Sequence, residues 1–197
     1  MIKKGALLII LILCTLSVQA ENLNRYAILE STLVEVNGTT NISRFRLTYN
    51  NELDKVEKNI ITLYKKRNCT SLVSPKLTLE IKRFKSHNPI AEKGFFKLVK
   101  ANKYPLMYIE TDEIQLISID DSRCNQEKVR VKVTITGVSK EYEIPYQQKL
   151  TNNLLTIAGN VKISIKDFGL TPPDDLLGLV KTSEWVTIYL KMDFMIQ

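Results

Sequence analysis

The tripeptide Asp167-Phe168-Gly169 is the feature of this sequence that most directly suggests chemistry, because protein kinases hold magnesium with Asp-Phe-Gly. A kinase also needs a glycine-rich loop over the phosphates, a strand lysine in a Val-Ala-Ile-Lys setting and a His-Arg-Asp catalytic loop. The sequence contains none of these. We therefore exclude kinase-type phosphoryl transfer and interpret the tripeptide as the end of a strand, where Gly169 permits a sharp change of direction.

Other candidate catalytic groups are few, and they lie in turn-like segments. The sole histidine, His87, would have to be the base for any serine or cysteine nucleophile, but it lies in the turn-like segment Lys85-Ser86-His87-Asn88-Pro89. The acidic pairs Asp120-Asp121 and Asp174-Asp175 also lie in turns, where carboxylates commonly accept backbone hydrogen bonds. We therefore predict a protein that is not an enzyme, with no catalytic residues and no cofactor.

Residues 1–20 have the organisation of a secretory signal peptide. Lys3 and Lys4 precede an apolar run at 6–16, and the small-residue site ending in Ala20 is followed by the polar Glu21. The run is about a dozen residues long, whereas a membrane-spanning helix needs roughly twenty. We expect cleavage near Ala20, which leaves residues 21–197 as one mature domain in the periplasm or secreted outside the cell.

The charge of the mature chain is mildly basic. Loss of Lys3 and Lys4 lowers the count of Lys and Arg from 28 to 26 against 21 acids, for a net charge of +5. The basic clusters lie beside predicted strands and have no exposed aromatic residues interleaved with them, so they do not indicate nucleic-acid binding. Lysines at strand edges discourage edge-to-edge pairing, which is the interpretation we favour.

Two cysteines, Cys69 and Cys124, remain after cleavage, in a compartment that permits oxidation. Each lies in a polar, turn-like context that suits a disulfide between loops, but spacing alone does not decide between a bonded pair and two free thiols. Together with the single histidine they do not make a zinc-like ligand set, so no metal site is predicted.

Alternation of apolar and polar residues dominates the mature chain and predicts half-buried strands. It is clearest at 129–135, 155–165 and 186–196, where every second residue is apolar except for Gly159. Only 92–102 has helical spacing. The pattern predicts an all-β barrel or sandwich with one short covering helix, and long strands favour the barrel because closure removes exposed edges. An apolar lumen could hold a small ligand or be filled by core side chains, and the pattern leaves both open.

Four segments, in their order along the chain, resemble the YceI-like family of exported, lipocalin-like proteins that bind polyisoprenoids or lipids. They read ESTLVEVNGTTNISRFRL, FFKLVKANKYPLMYIE, VRVKVTITGVSKEYEIP and LLTIAGNVKISIKDFGLTPPDDLLGLVKTSEWVTIYLKMDF. The resemblance covers nearly all of the mature chain, although residues 50–74 match poorly. It implies an antiparallel, lipocalin-like barrel of about eight strands whose lumen holds a long apolar chain.

We therefore predict an exported lipid-binding protein that sequesters or carries a polyisoprenoid, an isoprenoid quinone or a fatty-acyl lipid. Such chains offer only apolar area, at roughly 25 cal/mol for each Å² buried, so lining strands can hold them without exact polar contacts. The alternative is a non-enzymatic envelope interaction module with a filled barrel. Expected partners are the apolar ligand and, transiently, a membrane or envelope protein, but not nucleic acid; monomer and homodimer both remain open.

The predicted lining residues share the apolar face of the three long strands: Val131, Val133, Ile135, Ile157, Val161, Ile163, Ile165, Ile188, Leu190 and Phe194. A lid is predicted from the loop after the second of these strands, because its apolar residues need cover and the barrel mouth is the nearest candidate. The predicted lid residues are Phe168, Leu176, Leu177 and Leu179.

Overall fold

The computed structural model describes residues 26–52, 60–66, 69–73, 75–116, 128–172, 174–175 and 180–197. Within these ranges the chain forms twelve strands, one α-helix and two short 3₁₀ helices. The strands are β1 (Tyr26–Thr40), β2 (Arg44–Glu52), β3 (Ile60–Lys66), β4 (Cys69–Leu72), β5 (Lys76–Glu80), β6 (Leu106–Thr111), β7 (Ile114–Leu116), β8 (Lys128–Ile135), β9 (Val138–Thr151), β10 (Leu154–Ser164), β11 (Asp174–Asp175) and β12 (Val180–Ile196). The α-helix is α1 (Pro89–Leu98), and the 3₁₀ helices are Ile81–Arg83 and Ile165–Phe168.

Most of these strands pair in antiparallel fashion around a ring. β1 pairs with β12 from Ala27 opposite Ile196 to Thr40 opposite Thr182. The series continues from β12 through β10, β9, β8 and β6 to β5. The other edge of β1 pairs with β2 and then with β3, and the series continues through β4 to β7.

The two ends of this series meet. β4 and β5 form one interrupted strand, β6 and β7 form another, and these two strands pair with each other. Leu72 lies opposite Ile114, and Lys76 lies opposite Glu110. A single register therefore runs through both ladders. β2 and β3 both pair with β1, in different registers, and together occupy one position in the ring. Counted so, the described residues form an antiparallel barrel of eight strands with one short helix. The predicted fold class is confirmed.

The inner faces of the strands make the core. In β8, Val129, Val131 and Val133 are buried, whereas Arg130 and Lys132 between them are exposed. This alternation follows from the strand period of two, which sends successive side chains to opposite faces of the sheet. The sequence predicts strands most clearly where one face is apolar and the other is exposed to solvent, as in β8, β10 and β12.

Helix α1 begins three residues earlier than the spacing predicted and ends four residues earlier. Its start is set by Asn88, whose Oδ1 accepts hydrogen bonds from the backbone N–H groups of Ile90 at 3.0 Å and Ala91 at 3.2 Å. An N-cap of this kind satisfies donors that have no partner inside the helix. The helix docks through Phe95, whose ring lies 5.3 Å from that of the fully buried Phe84.

The segment around Asp167-Phe168-Gly169 ends β10 and turns into the barrel. Ser164 Oγ accepts a hydrogen bond from the N–H of Lys166 at 3.3 Å at the start of the 3₁₀ helix. Gly169 ends the helix with a φ of 68°, a left-handed conformation that glycine adopts without steric cost. Phe168 is 1% exposed and belongs to the core. The sharp change of direction predicted at Gly169 is therefore present.

Asp193 on β12 ties together three neighbouring strands. Its carboxylate accepts hydrogen bonds from Ser31 on β1 at 2.7 Å and from Thr156 on β10 at 2.6 Å, and Lys191 Nζ lies 3.0 Å away. Burial by itself would raise the pKa of Asp193, but the hydrogen bonds and the charge of Lys191 outweigh it and hold the pKa below its usual value. The ionised carboxylate therefore stabilises the fold.

We expect Asp193→Asn to lower the free energy of unfolding at pH 7 by about 1.5–3 kcal/mol, the scale of hydrogen bonds to a charged group. A depressed folded-state pKa gives stability that is present above the ordinary pKa of aspartate and is lost as the pH falls through the folded-state value. The difference between variant and wild type should therefore shrink in acid. Urea unfolding at pH 7 and at pH 3 measures it, and Asp112→Asn, at a largely exposed carboxylate, is the control. A difference that does not change with pH would contradict this assignment.

Candidate apolar ligand site

An apolar cavity lies inside the barrel, against the inner faces of β6-β7, β8, β9, β10 and β12. Its volume is about 40 Å³. Its walls are almost entirely aliphatic, and none of its described lining residues is charged. The lining residues are Ile109, Thr111, Ile114, Val129, Val131, Val133, Ile144, Tyr146, Ile157, Gly159, Val161, Ile188, Leu190 and Met192.

Side chains on alternate positions of neighbouring strands build this wall. Register brings Ile157 of β10 opposite Met192 of β12, and Val161 of β10 opposite Ile188 of β12. Between these two rows, Gly159 presents no side chain. Gly159 therefore contributes only backbone to the wall, and the aliphatic side chains on both sides of it line the cavity.

The two hydroxyl groups of the lining are already engaged with backbone carbonyls. Tyr146 donates a hydrogen bond to the carbonyl of Gln115 at 3.1 Å, and the Thr111 hydroxyl donates to the carbonyl of Pro75 at 3.4 Å. Burial raises the pKa of Tyr146 to about 12, so its phenol keeps its proton at neutral pH. The surface offered to a ligand is therefore apolar and uncharged, and it suits a chain recognised by shape and length.

Of the ten predicted lining residues, six border the cavity: Val131, Val133, Ile157, Val161, Ile188 and Leu190. The other four, Ile135, Ile163, Ile165 and Phe194, are buried in the core away from it. Phe194 lies opposite both Leu29 and Leu155, in a packed layer nearer one end of the barrel. That the six contact a ligand stays a prediction.

Several cavity residues were not among those predicted. Ile109 and Thr111 belong to the alternating face of β6, so their period of two was a usable signal. Ile144 and Tyr146 of β9 are harder to predict from the sequence. The inner face of that strand also carries Tyr142 and Gln148 and therefore resembles a solvent-exposed face.

The remaining predicted residues are only partly within the described structure. Of the lid residues, Phe168 is buried in the core, and Leu176, Leu177 and Leu179 lie outside the described residues, so the lid stays a prediction. Cys69 is disulfide-bonded. Its predicted partner, Cys124, lies outside the described residues, as does the predicted signal peptide at 1–20, so the pairing and the cleavage also stay predictions.

Metal-binding chemistry has no built site in the part of the chain that the structure describes, where no three His, Cys, Asp or Glu side chains come together as ligands. His87 is exposed just before α1. No helix among the described residues is long and apolar enough to cross a membrane.

Gly159 also has a packing role that can be tested by one methyl group. A Cβ at this position would lie 2.9 Å from the backbone oxygen of Pro145 and 3.1 Å from Ile144 Cγ2. We expect Gly159→Ala to lower the free energy of unfolding by about 1–3 kcal/mol, as overpacking does in a close-packed interior. Urea unfolding measures the change.

The matched control is Gly94→Ala on α1, where an added Cβ meets nothing within 4 Å. Alanine is favoured over glycine inside a helix by about 1 kcal/mol, so this variant should be more stable than the wild type. Opposite signs for the two variants are the expected result. A Gly159→Ala protein as stable as the wild type would mean that β9 and β10 do not approach as closely as described.

Comparison with known proteins agrees with this architecture. A family model described as YceI-like domain matches residues 32–194. BcnA of Burkholderia cenocepacia has the same fold at 12% identity, with a TM-score of 0.56 over 82% of this chain and 95% of that one. A polyisoprenoid binding domain from Saccharophagus degradans, implicated in plant cell wall breakdown, has 8% identity and a TM-score of 0.58 over 86% and 97% of the two chains.

A search of the curated proteins found no match. The family model nevertheless spans most of the sequence, from the middle of β1 to the last residues of β12. The resemblance that the four ordered segments indicated is therefore confirmed, and this chain belongs to the YceI-like family.

Proposed function

We propose that this protein binds one long apolar chain, of the polyisoprenoid, isoprenoid quinone or fatty-acyl class, in the lumen of its barrel. The observation that carries the proposal is the uncharged aliphatic cavity, whose two hydroxyl groups are already engaged with backbone carbonyls. Membership of the YceI-like family and the shared fold of a polyisoprenoid binding domain support it.

The size of the cavity sets a condition on this function. Ligand pockets usually measure about 300–1,000 Å³, and the cavity of about 40 Å³ lies well below that range. The lumen must therefore widen as the chain enters. The side chains of Ile188, Leu190 and Met192 can contribute through rotamer changes, and methionine in particular fills irregular gaps and adapts easily. Each methylene that is buried contributes about 0.8 kcal/mol, which can offset the cost of widening.

Lipid extraction tests the proposal directly. The protein is purified without detergent, examined by native mass spectrometry, and then denatured and extracted with organic solvent for lipid analysis. We expect an adduct in the native spectrum and a lipid of matching mass in the extract. A well-folded protein that is consistently empty, and that also fails to take up an added prenyl alcohol, would count decisively against lumenal binding.

The small cavity also favours a second candidate, a non-enzymatic envelope interaction module with a filled barrel. In that case the lumen is core, and the loops at the ends of the barrel bind a protein or another envelope component. The two candidates differ in one measurable property. Addition of a prenyl alcohol should raise the thermal midpoint of a lipid carrier, because a ligand that binds only the folded state stabilises it, and should leave that of a module unchanged.

We also propose that the protein is exported and acts in the periplasm or outside the cell. The basic, apolar and small-residue regions of the first 20 residues support this location. Sequencing of the amino terminus of the protein from its native host should begin near Glu21. Retention of residues 1–20 on the native protein would contradict it.

A further inference from the structure

The barrel wall is split next to the apolar cavity. The ladder between β9 and β10 runs from Thr151 opposite Leu154 to Tyr146 opposite Gly159, and in the described residues it goes no further. Beyond that point β10 continues to Ser164 paired only with β12, and the first half of β9 stays paired only with β8. Between the first half of β9 and the second half of β10, the wall therefore has no backbone ladder.

Both sides of this split border the cavity. Ile144 on β9 and Val161 on β10 are cavity residues, and each lies just beyond the last paired residues of its strand. Val161 lies on the inner face of β10 and yet keeps part of its surface accessible, as do the neighbouring Ile188 and Leu190. The cavity wall therefore has accessible apolar surface beside the split.

A side-chain hydrogen bond connects the two sides. The Tyr142 hydroxyl on β9 donates to Asp167 Oδ2 at 3.2 Å, in the 3₁₀ helix that follows β10. Tyr142 lies opposite Val131, a cavity residue, so this bond is next to the lumen. Burial, and then the negative charge and hydrogen bond of Asp167, raise the pKa of Tyr142 to about 12, so the phenol can donate at neutral pH.

We propose that the split between β9 and β10 is the lateral entrance through which the apolar chain reaches the lumen, and that the Tyr142–Asp167 hydrogen bond is its latch. The inference rests on the proposed lipid-binding function. The other strand junctions that border the cavity, β6–β8, β8–β9 and β10–β12, are closed by backbone ladders. Opening any of these breaks several backbone hydrogen bonds, whereas the split is bridged by an exposed side-chain hydrogen bond and by the packing of the 3₁₀ helix, whose Ile165 and Phe168 are buried.

A latch has a kinetic signature that a ligand contact does not have. The bond is present in the empty and the loaded protein, and it is broken only while the chain passes. Its removal should therefore speed entry and release by the same factor and leave the dissociation constant unchanged. One hydrogen bond of ordinary net strength corresponds to about a fivefold change in each rate.

The test uses cis-parinaric acid, a naturally fluorescent fatty acid, with the delipidated full-length protein. Stopped-flow mixing measures entry, and transfer to excess phosphatidylcholine vesicles measures release. We expect Tyr142→Phe and Asp167→Ala each to raise both rates about fivefold, and the double variant to be no faster than either single variant. The control is Ser139→Ala on the same strand β9, which removes an exposed hydroxyl hydrogen bond to Thr134 of β8 and should leave both rates unchanged.

Unchanged rates in the latch variants would overturn the entrance, with the lipid-binding function left standing. A changed dissociation constant with an unchanged entry rate would also overturn it, because Tyr142 would then act on the bound state alone. A wild-type protein that does not bind the fatty acid would overturn the inference together with the proposed function. Equal acceleration of entry and release is the one result that supports the latch.

Discussion

Val131→Phe is expected to lower the amount of lipid that copurifies with the protein by about tenfold or more, with the barrel still folded. Val131 is 3% exposed and borders a cavity of about 40 Å³, so a phenyl ring in place of the isopropyl group takes up most of the free space. A tenfold loss corresponds to about 1.4 kcal/mol of binding free energy. The cost in unfolding free energy should be about 1–3 kcal/mol, the usual scale for overpacking.

Quantitative lipid extraction from equal amounts of protein measures this loss, and circular dichroism verifies the fold. The matched control is Lys132→Phe, which places the same ring on the outer face one residue further along β8. It removes an exposed ion pair with Glu110, which is worth about 0–1 kcal/mol, and should carry as much lipid as the wild type. If Val131→Phe and Lys132→Phe retain equal amounts of lipid, the chain is not bound in the lumen.

Phe194→Ala is expected to lower the free energy of unfolding by about 3–5 kcal/mol, the largest stability effect that we predict. The Phe194 side chain is fully buried, and its strand neighbours on the two sides are Leu29 and Leu155, which are buried as well. Removal of the ring loses the free energy gained by burying its apolar surface, and it leaves a void that the surrounding strands cannot close. For a domain stable by about 5–15 kcal/mol, this is a large fraction.

Urea unfolding of Phe194→Ala should be compared with that of Leu190→Ala. Leu190 borders the cavity and is only partly buried, so its truncation should cost about 1–2 kcal/mol and should enlarge the lumen. Leu190→Ala should then favour longer lipid chains, whereas Phe194→Ala should leave the chain-length preference of the remaining folded protein unchanged. A larger loss of stability in Leu190→Ala than in Phe194→Ala would reverse the roles that the two residues have here.

The strands that the sequence predicts most clearly are those with one solvent-exposed face. In β8 the exposed Arg130 and Lys132 alternate with buried valines, and the period of two is unmistakable. β9 extends from Val138 to Thr151, and it is not among the three segments in which the alternation is clearest. Its inner face carries polar groups such as Gln148, whose side-chain amide donates a hydrogen bond to the carbonyl of Gln115 at 3.0 Å, and this weakens the alternation on which the prediction depends.

The start of α1 is a second case in which a local detail decided the boundary. Apolar spacing predicted a helix from residue 92, but the Asn88 side chain caps a helix that begins at Pro89. Proline at the first position of a helix is well tolerated, because its missing N–H would have no partner there. The signal was present in the Asn-Pro dipeptide, but it carries no apolar periodicity.

Alternation can be read from the sequence, because the face of the sheet to which a side chain points follows from its position along one strand. The resemblance to the YceI-like family follows from the order of four segments. The inward direction of Val161 and Ile163 was therefore predictable. Only the tertiary structure separates them: Val161 borders the cavity, and Ile163 is 1% exposed in the packed core. A cavity is the space left between strands far apart in the chain, so its place depends on the register of those strands and on the point where β9 leaves β10. No single strand carries that information.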